Sequence, residues 1–332
     1  MNKIKLLSLG ALMVTAMYAN AQTTAHTKPT GYVTHTLKAG QFNLIGLTLH
    51  NPVVASGDIQ GFTGGTQITD SDVNFANVLT AGKTYILEIT DAADTSLNGT
   101  IQEVTVWGAN TFDTPQNLET EGLAVGDKYQ LREAATLQQV MGNPATIGSS
   151  FTETAADVVW IPDSAAGYTR YFYQPAPLSR WFNATTNTAV AGDIPLIYTD
   201  GFFVQIKSTN DVNLILTGSV KTGEIGIAVS NGFNLVSGVY PVGATLANSG
   251  LKDTLTSSFT ETGADVVWMQ DGSGNYTRYF YQPAPLNRWF NATDNVTVVD
   301  STAVNLPSGF FIQRKSTAKN VAITPPAGYD NL

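Results

Sequence analysis

The sequence predicts an all-β protein, and three observations carry that prediction. Charged residues make up only 13% of the 332-residue chain, while Thr, Asn, Gly and aromatic residues are abundant, a balance that favours strands and turns over salt-bridged helices. Short runs rich in β-branched and aromatic residues recur between clusters of Gly, Asn, Asp and Pro. A block of 36 residues, Ser149 to Ala184, returns at Ser257 to Ala292 with 28 identities at an offset of 108, the mark of a duplicated module. The expected architecture is a small N-terminal β-barrel or sandwich followed by two repeated β-meander or sandwich modules, with one or two short helices. At 43% hydrophobic residues the chain can bury a core, which excludes disorder as its default state.

The chain opens with Lys3 and Lys5, an apolar stretch over 6–19, and Ala19-Asn20-Ala21 before Gln22. That pattern is a secretory signal over 1–21 with an A-x-A cleavage site, and the stretch is shorter than the roughly 20 apolar residues a membrane span needs. Removing both lysines leaves 15 basic against 26 acidic residues, so the mature chain carries a net charge of −11. Such a chain repels polyanions, and nucleic acid is excluded as a partner. No later segment is apolar over a helical membrane span, so no transmembrane segment is expected in the mature chain. The absence of cysteine removes disulfides, thiolate metal sites and cysteine nucleophiles together. The expected location is the periplasm, the cell surface or the medium of a bacterium.

Residues 22–134 are expected to form the N-terminal β domain, with strand-like runs over 85–89, 104–107 and 123–131. The first copy follows at 135–222 and the second, with a linking strand, at 223–332. Thr136-Leu137-Gln138-Gln139 has the spacing of a capping box and Gly142 that of a helix stop, which predicts one or two helical turns. The repeated block reads as a meander: a strand over 157–160, a turn, a strand over 168–174, the loop Pro175-Ala176-Pro177-Leu178, and a strand over 180–183. Six of the eight differences between the copies fall in the turn, 161–167 against 269–275. A fainter echo pairs Gln41-Phe42-Asn43-Leu44-Ile45 with Gly232-Phe233-Asn234-Leu235-Val236, pointing to a module that begins at that strand.

The order Gly31-Tyr32-Val33, a strand from Lys83 to Ile89, Gly126-Asp127-Lys128-Tyr129, Thr136-Leu137, Asp157-Val158-Val159-Trp160, Tyr171-Phe172-Tyr173, Trp181 and Gly201-Phe202-Phe203-Val204 resembles a family of uncharacterised exported bacterial β-rich proteins that share this full-length pattern. The resemblance implies export and the domain layout. It implies no activity, catalytic residue or cofactor.

Little catalytic chemistry is legible. The three histidines, His26, His35 and His50, lie near the mature N-terminus without metal-ligand spacing, and no nucleophile elbow, zinc helix or phosphate loop occurs. Glu153 with Asp157, repeated as Glu261 with Asp265, could serve a glycan-active enzyme as acid and base, but acids flanking strands are more often solvated or capping groups. Asp70-Ser71-Asp72-Val73-Asn74 starts like a calcium loop and fails at Phe75 and Ala81, and Asp271 to Asn275 reads as a plain turn. No cofactor or metal is expected. The informative constellation is Tyr168, Arg170, Tyr171, Tyr173, Arg180, Trp181 and Asn183, with Tyr276, Arg278, Tyr279, Tyr281, Arg288, Trp289 and Asn291 in the second copy. Strand alternation puts Tyr168, Arg170, Phe172 and Gln174 on one face and Thr169, Tyr171 and Tyr173 on the other, so aromatics occupy both. An aromatic core is one outcome. The other is an exposed surface on which rings supply flat apolar area and Arg, Gln and Asn fix orientation. On the second reading the protein is a non-catalytic binding or adhesion protein for a polysaccharide or cell-surface protein, two equal surfaces giving avidity on a polymer. The alternative is a self-associating structural protein of the envelope.

Overall fold

Two six-stranded antiparallel sheets with corresponding strand order dominate the protein. The computed structural model describes residues 29–163, 167–329 and 332; the signal segment and His26 lie outside them. The first large sheet comprises β2 (Phe42–Gly46), β11 (Val158–Pro162), β12 (Tyr168–Gln174), β13 (Arg180–Asn183), β14 (Thr188–Val190) and β16 (Gly201–Gln205), in the order β2-β16-β11-β12-β13-β14. The second comprises β19 (Gly232–Ser237), β20 (Val266–Gln270), β21 (Tyr276–Gln282), β22 (Arg288–Asn291), β23 (Val296–Thr297) and β24 (Gly309–Arg314), in the order β19-β24-β20-β21-β22-β23. Registers match as well: Phe203 pairs with Leu44 and Trp160, and Phe311 with Leu235 and Trp268.

The meander of the repeated block is therefore present in both halves, with its first strand starting one residue later and ending two residues later than expected. Its edge strands, β2 and β19, are the pair that the fainter sequence echo joins; the expected domain boundaries alone placed the first of them elsewhere. β1 (Thr30–Leu37) and β2 were assigned to the N-terminal domain, yet β1 pairs with β17 (Val212–Ser219) and β2 with β16. In the second half β18 (Ile225–Val229) pairs with β25 (Lys319–Ile323), just ahead of β19. The physical reason is burial: β2 carries buried Asn43, Leu44 and Ile45, which only a sheet partner more than a hundred residues away can cover.

Residues between β2 and β10 (Ala135–Thr136) build two smaller antiparallel sheets around a core of their own. One is β3-β9-β6-β7, from β3 (Val53–Asp58), β6 (Tyr85–Asp91), β7 (Ile101–Val104) and β9 (Lys128–Glu133). The other is β4-β5-β8, from β4 (Gly61–Thr63), β5 (Gln67–Thr69) and β8 (Thr111–Asp113). No sheet closes on itself among the described residues, so the barrel alternative for this region is not what forms.

Among the described residues three short α-helices accompany the strands: α1 (Phe75–Val78), α2 (Leu137–Met141) and α3 (Leu251–Thr254). α2 starts where the capping box predicts. The Thr136 hydroxyl accepts from Gln139 N, the Gln139 side chain accepts from Thr136 N, and Gly142 ends the helix at φ 89°. α3 lacks this device, since its cap is Gly250 in a left-handed conformation with no side-chain bond. One large apolar cluster joins the inner faces of both big sheets, including Trp181, Trp289, Phe202 and Phe310.

Candidate functional site

Alternation along β12 and β21 decides which repeated side chains face solvent. Tyr171, Tyr173 and Trp181 point into the shared core, and Trp181 and Trp289 retain only 1% and 3% exposure. Their indole N–H groups donate to the Gly142 and Leu246 carbonyls at 3.3 and 3.1 Å, which satisfies the one polar group each ring carries. Tyr279 and Tyr281 are half-buried and pack against the same cluster. Asn183 and Asn291 are buried turn formers, each Oδ1 accepting two backbone N–H bonds, from Thr185 and Thr186 and from Thr293 and Asp294. Arg180 and Arg288 donate through Nε to Gln174 and Gln282 at 2.9 and 2.8 Å. Of the fourteen residues singled out in the sequence, Tyr171, Tyr173, Trp181 and Trp289 are thus core, and Asn183 and Asn291 hold turns. Only Tyr168, Arg170, Tyr276 and Arg278 belong to an accessible aromatic face.

That face is larger than the sequence suggested. In the first sheet it consists of Phe42 on β2, Trp160 on β11, Tyr168 on β12 and Phe203 on β16; in the second, of Phe233, Trp268, Tyr276 and Phe311 at corresponding strand positions. Phe42 contacts Trp160 and Phe203 at 5.4 and 6.0 Å between centroids, and Phe233 contacts Trp268 and Phe311 at 5.4 and 6.1 Å, mostly edge to face. Phe42 and Phe233 remain 39% and 58% exposed. Phe203 and Phe311 touch at 5.9 Å, so the two sets of rings are continuous. The six missed rings follow from applying the same alternation to β2, β11 and β16, where Phe42, Trp160 and Phe203 share the side of Tyr168.

Arginines border the rings without adding free charge. Arg170 lies over Trp160 and Arg278 over Trp268, each 5.4 Å from the centroid, and each donates to a glutamate, Glu153 or Glu261, at 2.7 Å. Burial pushes the Tyr168 phenol up from its ordinary range, and burial together with the neighbouring Tyr168 does the same to Tyr276, so both stay protonated donors.

The continuous rings flank a cleft of about 540 Å³. Phe42, Trp160, Tyr168 and Phe203 form one side, and the turn of the second half, with Gln270, Ser273, Gly274 and Tyr276, forms the other. The Gln270 side chain spans the gap as a strand would: its Oε1 accepts from Leu44 N at 2.9 Å and its Nε2 donates to the Phe42 carbonyl at 2.8 Å. Gln41 Nε2 donates to the Gly272 carbonyl at 3.4 Å.

The carboxylates considered for glycan hydrolysis are engaged elsewhere. Buried Asp157 accepts from Gly148 N and Lys207 N at 2.6 and 2.7 Å, and Asp265 pairs with Arg314 while accepting from Thr256 N and Lys315 N. Asp271 Oδ1 accepts from Ser273 N and Asn275 N, closing the turn that borders the cleft. Among the described residues no group of three or more His, Asp or Glu is placed to hold a metal. Comparison with protein-family models, curated proteins and solved structures finds no match for the chain.

Proposed function

We propose that this is an exported, non-catalytic binding protein that holds polysaccharide against the aromatic face shared by its two large sheets. We read these sheets as two copies of one module, the first interrupted by residues 47–134. The observation that carries the reading is the uninterrupted set of eight rings, six of them half-buried and two well exposed, bordered by the Arg170 and Arg278 guanidiniums. Rings of this kind pack on the apolar C–H faces of sugars, and nearby amide and hydroxyl groups take the sugar hydroxyls. Sedimentation of the protein with insoluble polysaccharides and cell-wall fractions tests it, beside Phe42→Ala and Phe233→Ala, which should stay folded. Binding that these variants weaken is the expected result; binding unchanged by both would move the ligand off this face.

A second reading is supported by one feature, the β1–β17 ribbon, whose Tyr32 and Ile215 stand exposed on a two-stranded sheet. Self-association into an envelope structure would use that ribbon. It predicts concentration-dependent assembly without ligand, abolished by Tyr32→Lys.

A further inference from the structure

The two copies of the repeated block are identical at 28 of 36 positions, and six of the eight differences lie in one turn, 161–167 against 269–275. The second copy of that turn is one of the places where the halves of the molecule meet. In the second half it reaches across to β2, and Gln270 makes two backbone bonds to the strand's outer edge. The corresponding residue of the first half is Pro162, which has no side-chain amide and cannot make them. The difference between copies thus gives the second turn, at Gln270, a side chain that latches onto β2 where the first has a proline ring that carries no amide. The latched turn supplies one wall of the 540 Å³ cleft, and the rings of the other half supply the opposite wall.

Charge narrows what such a cleft can hold. Its lining comprises aromatic rings, the Gln41 and Gln270 amides, Ser273 and Gly274, with no Lys, Arg, His, Asp or Glu. The bordering Arg170 is already paired with Glu153. A carboxylate or sulfate entering there would lose water without gaining a cation, within a chain whose net charge of −9 already repels it. A neutral sugar has no such cost, since its C–H faces meet rings and its hydroxyls meet Gln41, Ser273 and the tyrosine hydroxyls.

We infer that the two copies build one composite site, completed by the Gln270 latch, and that it holds a single neutral glycan chain while discriminating against anionic ones. This rests on the polysaccharide reading above and replaces its bivalent form, in which each copy binds separately.

Titration calorimetry with a soluble neutral glucan oligosaccharide and its carboxymethylated derivative tests it. The expected result is one oligosaccharide per chain, with the carboxymethylated form bound about tenfold more weakly. Phe42→Ala and Tyr276→Ala, on opposite walls, should each weaken binding at least about tenfold rather than halve capacity, because each removes stacking area from the same site. Gln270→Pro should do the same while the protein stays folded, since proline stands at the corresponding place in the first copy. Two oligosaccharides per chain, or half capacity in each wall variant, would overturn the composite site, as would full affinity in Gln270→Pro. Equal binding of the charged derivative would overturn the selectivity and leave the polysaccharide reading standing. Failure of both oligosaccharides and every polysaccharide tested would remove both readings.

Discussion

Replacing Trp181 by alanine separates a core ring from a ligand-binding ring. The side chain is 1% exposed, and its truncation removes the transfer and packing energy of a full indole, about 3–5 kcal/mol for a large-to-small change in a core. It also removes an edge-to-face contact with Tyr173 at 5.6 Å, about 1 kcal/mol, and leaves the Gly142 carbonyl without its donor at a further cost of about 1 kcal/mol. Because these contributions overlap, the expected loss is about 5 kcal/mol, read from urea unfolding followed by circular dichroism. Trp289, with Tyr281 at 5.5 Å and the Leu246 carbonyl as acceptor, should cost the same. Removing both then costs about 10 kcal/mol, the size of a typical domain's entire stability. A double variant that no longer binds a polysaccharide would therefore report unfolding, not a lost contact. Phe233→Ala, at a position 58% exposed, should cost less than about 1 kcal/mol. A loss below 1 kcal/mol for Trp181→Ala, with an unchanged denaturant slope, would refute the assignment of that ring to the core.

Three further outcomes follow from particular contacts. His50 is buried, and burial, with Arg132 and Lys221 nearby, lowers its pKa from 6.5 to about 3. The unfolded chain therefore binds a proton that the folded one refuses, so stability is lost as pH falls from 6.5 toward 3, by about 3 kcal/mol at pH 4; urea midpoints at pH 7 and 4 should show that much less pH dependence in His50→Gln, and identical profiles would refute it. Lys221→Met leaves the buried Glu88 carboxylate with only Arg132 at 3.8 Å and the Tyr198 hydroxyl at 3.0 Å, a loss of about 3 kcal/mol that Glu88→Gln in the same chain should largely restore, whereas simple additivity in the double-mutant cycle would refute the pairing. Ser179 sits at φ 44° where the second copy has Asn287 at φ 43°, so Ser179→Asn should add about 0.5 kcal/mol, and a destabilised variant would show that the side chain matters for another reason.

Local pattern made the strands legible and left their partners hidden. The run of β12 and the capping box of α2 can each be read within a few residues, because alternation and capping are short-range. Which face of β12 was core could not be read there, since Tyr168 and Arg170 on one side and Tyr171 and Tyr173 on the other are equally aromatic and polar. The answer depends on what covers each face. Trp181 from β13 and Val204 from β16 line the inner side, while the outer side meets Trp160, Phe203 and Phe42 around Tyr168 and, farther along, a small cluster in which Phe172 packs on Phe182 and Val158. Phe42 reaches that side through a pairing between β2 and β16 that no local period reports.

The same pairing explains why the copies are alike in their strands and unlike in one turn. A six-stranded open sheet ends in a row of unpaired backbone groups, and β2 is such an edge. The Gln270 side chain meets two of those groups, at Leu44 N and the Phe42 carbonyl, as a short strand would. At the corresponding edge β19, the backbone of Thr199 and Asp200 meets Ser237 and Val236 instead. One glutamine in place of proline is thus enough to protect an edge, to hold the two halves together at that edge, and to leave an uncharged cleft between two sets of rings. Strand residues common to both copies keep each core packed, so they tolerate little change. The turn leaves the core after its first residue, Ile161 or Met269, and it is beyond that point that two like modules can come to build one unequal site.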